Sequence, residues 1–263
     1  MATQAAVASF MFHEVTDEPT SSGFQRPAAL NYKHPRRAFI AYLEGIAAAP
    51  EPPTLVTDLD LAAPGRHVLL TFDDGGTSAR AAAAELERHG WRGHFFIVTS
   101  LVGTRGFLAA DDVRAIRDAG HLIGSHSHTH PDIFRDLPFA RMLEEWRSSA
   151  DWLSQLLGEP CVAGSVPGGD ISRAVLDSAS AARFRYLFTS EPWLTPRRVS
   201  DCWILGRFGA KLGTRPAHVA RLAQFQGWRT ALIQRRLKVL ATRALPPLYR
   251  LYIRARTRSS TGT

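Results

Sequence analysis

The sequence predicts an α/β fold: a distorted (β/α)7-type barrel over residues 1–212, followed by a basic helical extension over residues 213–263. Three observations lead there. Seven short apolar runs alternate with helix-patterned segments, the pattern of a parallel sheet wrapped in helices. Two of those runs stop abruptly in polar clusters able to hold a metal. Acidic residues vanish after Asp201, so the last 62 residues of the chain have a different character. A length of 263 residues and a hydrophobic content of 45% suit a single barrel with a substantial core. No internal repeat of solenoid period is present.

The elements follow in order. Residues 6–13 read as a first strand, then a polar, Pro-rich loop. Residues 35–49 read as a helix and 50–64 as a second Pro-rich connection. Residues 67–72 form a strand and 77–90 an Ala-rich helix. Strand–helix pairs follow at 94–98 and 110–119, at 121–125 and 138–157, and at 161–166 and 172–183. Residues 185–189 and 203–208 read as the last two strands. Each strand assignment rests on a short apolar run bounded by turn residues. Each helix assignment rests on apolar positions at helical spacing.

Two strand ends carry the chemistry. The run Val68-Leu69-Leu70-Thr71-Phe72 ends in Asp73-Asp74-Gly75, and the strand at 121–125 runs into His126-Ser127-His128-Thr129-His130-Pro131. Asp-Asp before Gly is by itself most often a turn, and a His-rich pentapeptide alone is most often a solvated loop. Their placement at two strand ends of one β/α chain is far more specific. One carboxylate and two imidazoles at i and i+4 make a three-ligand site with room for a water, the mark of a catalytic metal. The second carboxylate is then free to act as a base on that water.

Thr71-Phe72-Asp73-Asp74-Gly75 and His126-Ser127-x-x-His130 resemble the first two motifs of the polysaccharide deacetylase family, also called the NodB-homology or carbohydrate esterase 4 domain. Gly93-His94-Phe95-Phe96-Ile97-Val98 is similar to that family's third barrel strand, and the resemblance spans roughly residues 7–208. It implies that Asp73 is the catalytic base, that Asp74, His126 and His130 bind the metal, and that the reaction is hydrolysis of an N-acetyl group on a sugar or glycan with release of acetate. Phe12-His13, after the first strand, resembles the aromatic-His motif of circularly permuted members, which implies His13 as the acid that protonates the leaving amine. No His directly follows the last strand; His218 comes later, at a helix start. Ser165-Val166-Pro167-Gly168-Gly169-Asp170 departs from the family's third motif, because Ser165 stands where an Arg normally holds the catalytic Asp. Arg207, near the end of the last strand, is the candidate replacement. The Pro167-Gly168 frame survives, and Gly168 can bring a backbone N–H to an oxyanion. A His₂Asp site suits zinc, with cobalt, nickel or manganese able to occupy it. The same fold can also hydrolyse another C–N bond, such as a cyclic amide or imide. The missing Arg keeps a degenerate carbohydrate-binding domain in view.

Composition narrows the setting. Cys161 and Cys202 are too few for a disulfide framework and fit no zinc spacing. The N-terminus lacks a signal-peptide pattern, and no apolar run is long enough to span a bilayer. The expected location is the cytoplasm, with the protein peripheral at the inner membrane face. From Cys202 onward there are thirteen Lys and Arg and no acid, whereas residues 1–201 hold 19 against 24. Residues 228–258 place Leu232, Ile233, Leu237 and Leu240 at helical spacing among Arg235, Arg236, Lys238 and Arg243, and Pro246-Pro247 then breaks the pattern. This reads either as terminal helices packed on the barrel or as a surface for anionic lipid. No nucleic-acid-binding motif accompanies the charge. Nothing in the sequence sets an oligomeric state.

Overall fold

The computed structural model describes residues 4–169 and 171–244, with side chains as far as Leu237 in the last helix. The chain runs β1 (Ala5–Phe12), β2 (Glu14–Val15), α1 (Pro27–Leu30), β3 (Lys33–His34), α2 (Arg36–Ala47), β4 (Gly65–Phe72), α3 (Ala79–Arg88), β5 (His94–Ile97) and α4 (Ala110–Asp118). It continues through β6 (Leu122–Ser125), α5 (Phe139–Leu157), β7 (Ala163–Ser165), α6 (Arg173–Ala181), β8 (Tyr186–Phe188), β9 (Arg197–Val199), β10 (Cys202–Leu205), β11 (Phe208–Gly209), α7 (Pro216–Ala223) and α8 (Trp228–Ala244). The main sheet has the order β11-β1-β4-β5-β6-β7-β8-β10-β9. Every pairing in it is parallel except β10 with β9. Helices follow the parallel strands, so the fold is the curled (β/α) barrel expected.

Both faces of the sheet are buried, and the period of two sorts the side chains. Leu70, Phe72 and Phe95 pack outward under the helices with Phe10 and Phe12. Leu69, Phe96, Phe188 and Leu205 fill the interior with Val7. Phe72 stacks on Phe95 at a centroid distance of 4.7 Å. The eight-residue register between β1 and β4 runs from Ala5 opposite Gly65 to Phe12 opposite Phe72. Their ends are therefore level, and His13 and Asp73 leave the sheet side by side.

The predicted strand at 203–208 is in fact two. Leu205 pairs with Phe188 in β8, while Phe208 pairs with Phe10 in β1, at the opposite end of the strand order. Three residues span at most about 10 Å, so the two ends of the curled sheet meet at Gly206-Arg207. Gly206 fits there because it has no side chain: a Cβ would lie 2.4 Å from the Glu191 carbonyl and 2.5 Å from that of Trp193. The small β2–β3 pair and the antiparallel β9 were not anticipated, since Glu14-Val15, Lys33-His34 and Arg197-Arg198-Val199 are mostly charged and carry no apolar run.

The helices after the barrel pack against it. Val219, Leu222, Ala223 and Trp228 belong to the same core as Phe10 and Leu43. The Trp228 ring meets Phe10 edge-on at 6.0 Å, and its N–H donates to the Leu222 carbonyl at 2.9 Å. Ile233 and Leu237 of α8 are exposed. The rest of the basic stretch put forward as a lipid surface, residues 245–258, lies outside the described residues, as do the side chains of Lys238, Leu240 and Arg243. None of the described helices is long and apolar enough to cross a membrane.

Candidate active site

A cavity of about 470 Å³ opens at the C-terminal ends of the parallel strands, where barrel sites form. His13, Asp73, Asp74, His126, His130 and Arg207 all line it. β1, β4 and β6 thus deliver His13, the Asp pair and His126 to one point. Asp74, Ser127 and His130 take left-handed backbone angles, with φ of 77°, 66° and 55°. Such angles are costly for non-glycine residues and collect where side-chain aim matters more than local comfort.

Asp74, His126 and His130 bring one ligand atom each to within 4.8 Å of one another, an arrangement that can hold a metal ion. Asp74 Oδ1 lies 3.4 Å from His126 Nε2 and 3.7 Å from His130 Nε2. It is buried and has no hydrogen-bond partner among the described residues, a costly condition that a bound cation relieves. His126 Nδ1 faces the Ser165 carbonyl at 3.0 Å. The ring therefore donates from Nδ1 and turns a bare lone pair at Nε2 toward Asp74, the tautomer a ligand needs. His130 differs. Arg26 Nη2 lies 3.0 Å from its Nδ1 and, being a donor only, places the ring proton on Nε2. For Nε2 to serve as a ligand the ring would have to carry its proton on Nδ1, the atom that faces Arg26 here. The donor set of two nitrogens and one carboxylate otherwise fits zinc and its neighbours.

Asp73 is held by the residue proposed in place of the absent motif Arg. Arg207 meets it with two bonds, Nη1 to Oδ1 at 2.7 Å and Nη2 to Oδ2 at 2.9 Å. This is the fork geometry that suits Arg. The guanidinium is fully buried and also donates to Ser165 Oγ at 2.7 Å, Thr71 Oγ1 at 3.0 Å and the Thr189 carbonyl at 2.9 Å. Ser165 Oγ in turn donates to Asp73 Oδ2 at 3.1 Å. The Ser at the motif position and the Arg from the seam of the sheet thus fill one site together. Burial would raise the Asp73 pKa; the nearby Arg207 and His126 charges outweigh it and hold the carboxyl below its usual range. Asp74 is held low in the same way, burial being outweighed by the histidines around it. His126 is raised, since Asp73 and Asp74 outweigh its desolvation.

His13 lines the cavity with its ring against Tyr32, centroids 4.5 Å apart. Its Nδ1 is buried without a hydrogen-bond partner among the described residues. Burial lowers its pKa, against the pull of Asp74 and Asp73. Gly168 lines the cavity with φ of 65°, and Gly169 beside it has φ of 71°. Pro167 is buried next to them in the chain and does not line the cavity. His128 is turned aside, its Nδ1 2.9 Å from Thr99 Oγ1. Ser127 Oγ accepts the His130 N–H at 3.0 Å.

Sequence reasoning missed three groups. Glu145, on α5, accepts three hydrogen bonds from the loop between the two histidines. Its signal is a carboxylate on the buried stripe of that helix, which also carries Met142, Trp146, Ser149 and Leu153. Phe24 and Arg26 cover His130 from the loop before α1, with ring centroids of Phe24 and His130 5.0 Å apart. Nothing in that polar loop marks them. Ala231, Gln234 and Arg235 of α8 wall one side of the cavity, a role the helical pattern of the extension does not reveal.

Comparison with known proteins agrees with this geometry. Residues 60–187 match the family model described as polysaccharide deacetylase. Among solved structures the chain is similar to a polysaccharide deacetylase from Bacillus cereus, with 17% identity over 85% of this chain and 70% of that one and a TM-score of 0.71. It is similar to a Streptococcus pyogenes deacetylase in complex with acetate, with 15% identity over 85% and 99% and a TM-score of 0.68. It is also similar to IcaB from Ammonifex degensii, with 18% identity over 83% and 97% and a TM-score of 0.68. No curated protein matches the chain in sequence.

Proposed function

We propose that this chain, whose residues 60–187 match the polysaccharide deacetylase family model, is a metal-dependent hydrolase removing the N-acetyl group of an N-acetylated sugar or glycan. The single observation that carries this reading is the constellation at the strand ends: an Asp74-His126-His130 triad beside a second carboxylate locked by Arg207. Asp74, His126 and His130 would hold one divalent ion, best zinc. Such an ion supplies Lewis-acid polarisation and an acidified water.

The chain's own groups do the rest. Asp73, kept ionised by Arg207 and fixed in orientation by its two-point grip, takes the proton of the water that attacks the acetyl carbon. The Gly168 N–H supports the oxyanion. His13 gives a proton to the nitrogen of the sugar as the C–N bond breaks, and acetate leaves. The fork from Arg207 supplies the cation whose absence from the third motif suggested a degenerate site, so the catalytic reading is preferred to a binding domain. α8, Tyr32 and the Phe24 loop enclose the sugar.

The test is acetate release across a panel of N-acetylated sugars and short glycans, with and without chelator. Release that chelator abolishes and zinc restores supports the reading. Release unaffected by chelator, or none from any member with zinc present, refutes it.

A further inference from the structure

The loop that joins the two histidines has an unusual anchor. His126 is fixed by the sheet, its N–H donating to the Ile97 carbonyl at 2.9 Å. His130 follows three residues that belong to no strand or helix. On one side this loop is held by the turn after β5, where Thr99 N–H donates to the Ser127 carbonyl at 3.4 Å and Ser100 N–H to the His128 carbonyl at 3.0 Å. On the other side a single carboxylate holds it. Glu145 Oε2 accepts the consecutive N–H groups of His128 at 3.0 Å and Thr129 at 2.7 Å, and Oε1 accepts the Thr129 hydroxyl at 2.7 Å. Glu145 is 2% exposed, and the charged group nearest it is Arg141 at 3.7 Å. Two successive N–H groups converging on one anionic oxygen fix two of the four peptide planes between the ligands.

We propose that Glu145 is the positioning residue of the metal site, setting the separation and aim of His126 and His130 through the backbone between them while touching neither ring. The proposal rests on the metal reading above. The geometry explains why a charged side chain sits on the buried stripe of α5, among Met142, Trp146 and Leu153. Without the carboxylate, two buried N–H groups lose their acceptor and the left-handed turns at Ser127 and His130 lose the brace that offsets them. Partners that orient metal ligands are worth about 10–100-fold in metal affinity.

The experiment uses the full chain. Zinc affinity is measured by chelator competition for the wild type, Glu145→Leu, Glu145→Gln and Thr129→Val, together with the cobalt absorption spectrum and the thermal midpoint of each metal-free protein. Gln keeps an acceptor for both N–H groups, so Glu145→Gln should stay within about threefold of wild type. Glu145→Leu should bind zinc about 10–100-fold more weakly, with an altered cobalt spectrum, and Thr129→Val should fall between. A role in general stability alone would lower the metal-free midpoint and leave zinc affinity and the cobalt spectrum unchanged; that result overturns the proposal. If Glu145→Leu does not fold, Thr129→Val and Glu145→Gln decide: wild-type affinity and spectrum in Thr129→Val overturn it, and a weakened Thr129→Val beside a near-normal Glu145→Gln supports it. A wild type that binds neither zinc nor cobalt sinks the metal reading itself. A wild type that binds both, matched by Glu145→Leu, sinks only the role of Glu145.

Discussion

Asp73 and Arg207 show how a departure from a motif can be made good elsewhere in the chain. The Asp-Asp and His-x-x-x-His positions were legible because ligand chemistry at strand ends leaves a sharp local pattern. Ser165 looked like a defect because its compensation comes from a residue 42 positions further on. Removing one partner of a buried ion pair strands the other, at about 3–5 kcal/mol. Arg207→Met should therefore destabilise the protein by that order in denaturant melts. It should also move activity. Asp73 is held below its usual pKa by Arg207, so without that charge burial prevails and the pKa rises. The acid limb of kcat/KM then shifts to higher pH, since the base is active only when ionised. A limb that stays in place would separate Arg207 from Asp73. Arg26 gives a prediction of the opposite sense. It donates to the His130 nitrogen that must carry the proton when Nε2 holds an ion, so Arg26→Ala should bind zinc at least as tightly as wild type in chelator competition. Weaker binding would show that the contact supports the ligand.

At the scale of elements, the seven principal strands were readable because each falls in a short apolar run bounded by turn residues, and the helices between them because their apolar positions recur at helical spacing. What escaped was set by tertiary pairing. The run through Leu205, Gly206, Arg207 and Phe208 is locally one strand; only the meeting of the two sheet ends splits it and turns Arg207 inward. The same event dictates Gly206, where a Cβ would strike the backbone carbonyls of Glu191 and Trp193. Backbone gives way less readily than a side-chain tip, so Gly206→Ala should cost about 1–3 kcal/mol and lower activity by shifting Arg207. A substitution that leaves both the melt and the rate unchanged would mean that the seam is looser than its contacts indicate. α8 was legible as a helix but not as a cavity wall, because helical periodicity does not say which site a helix will border.

The whole molecule carries a titration signature. His94 is buried in the sheet, accepting the Val56 N–H at Nε2 and facing the Leu70 carbonyl with Nδ1, each at 2.9 Å. That is the pattern of a neutral ring. Burial depresses its pKa to about 4, as it does that of His34, and depresses His130 to about 3 in the metal-free protein. Unfolded histidines titrate near 6.5, so between about pH 6.5 and 4 the unfolded chain binds more protons, and stability falls as pH falls through that window. His94 alone contributes about 3 kcal/mol of this dependence. Thermal midpoints of the metal-free protein should hold above pH 7 and drop steadily toward pH 4.5, with a shallower slope in His94→Gln. A flat profile would contradict the neutral assignment.

The account turns on the division of labour between neighbouring carboxylates: Asp74 with the histidines for the ion, Asp73 for the proton. The most direct test is metal content per chain, measured after zinc loading and desalting, alongside acetate release by the same samples from an N-acetylated glycan that the wild type deacetylates. About one zinc is expected in the wild type and in Asp73→Asn and almost none in His130→Ala, with acetate released at full rate by the wild type alone and about 10²–10⁴-fold more slowly by Asp73→Asn. Full zinc occupancy in His130→Ala, or acetate release by Asp73→Asn at the wild-type rate, would contradict that division of labour.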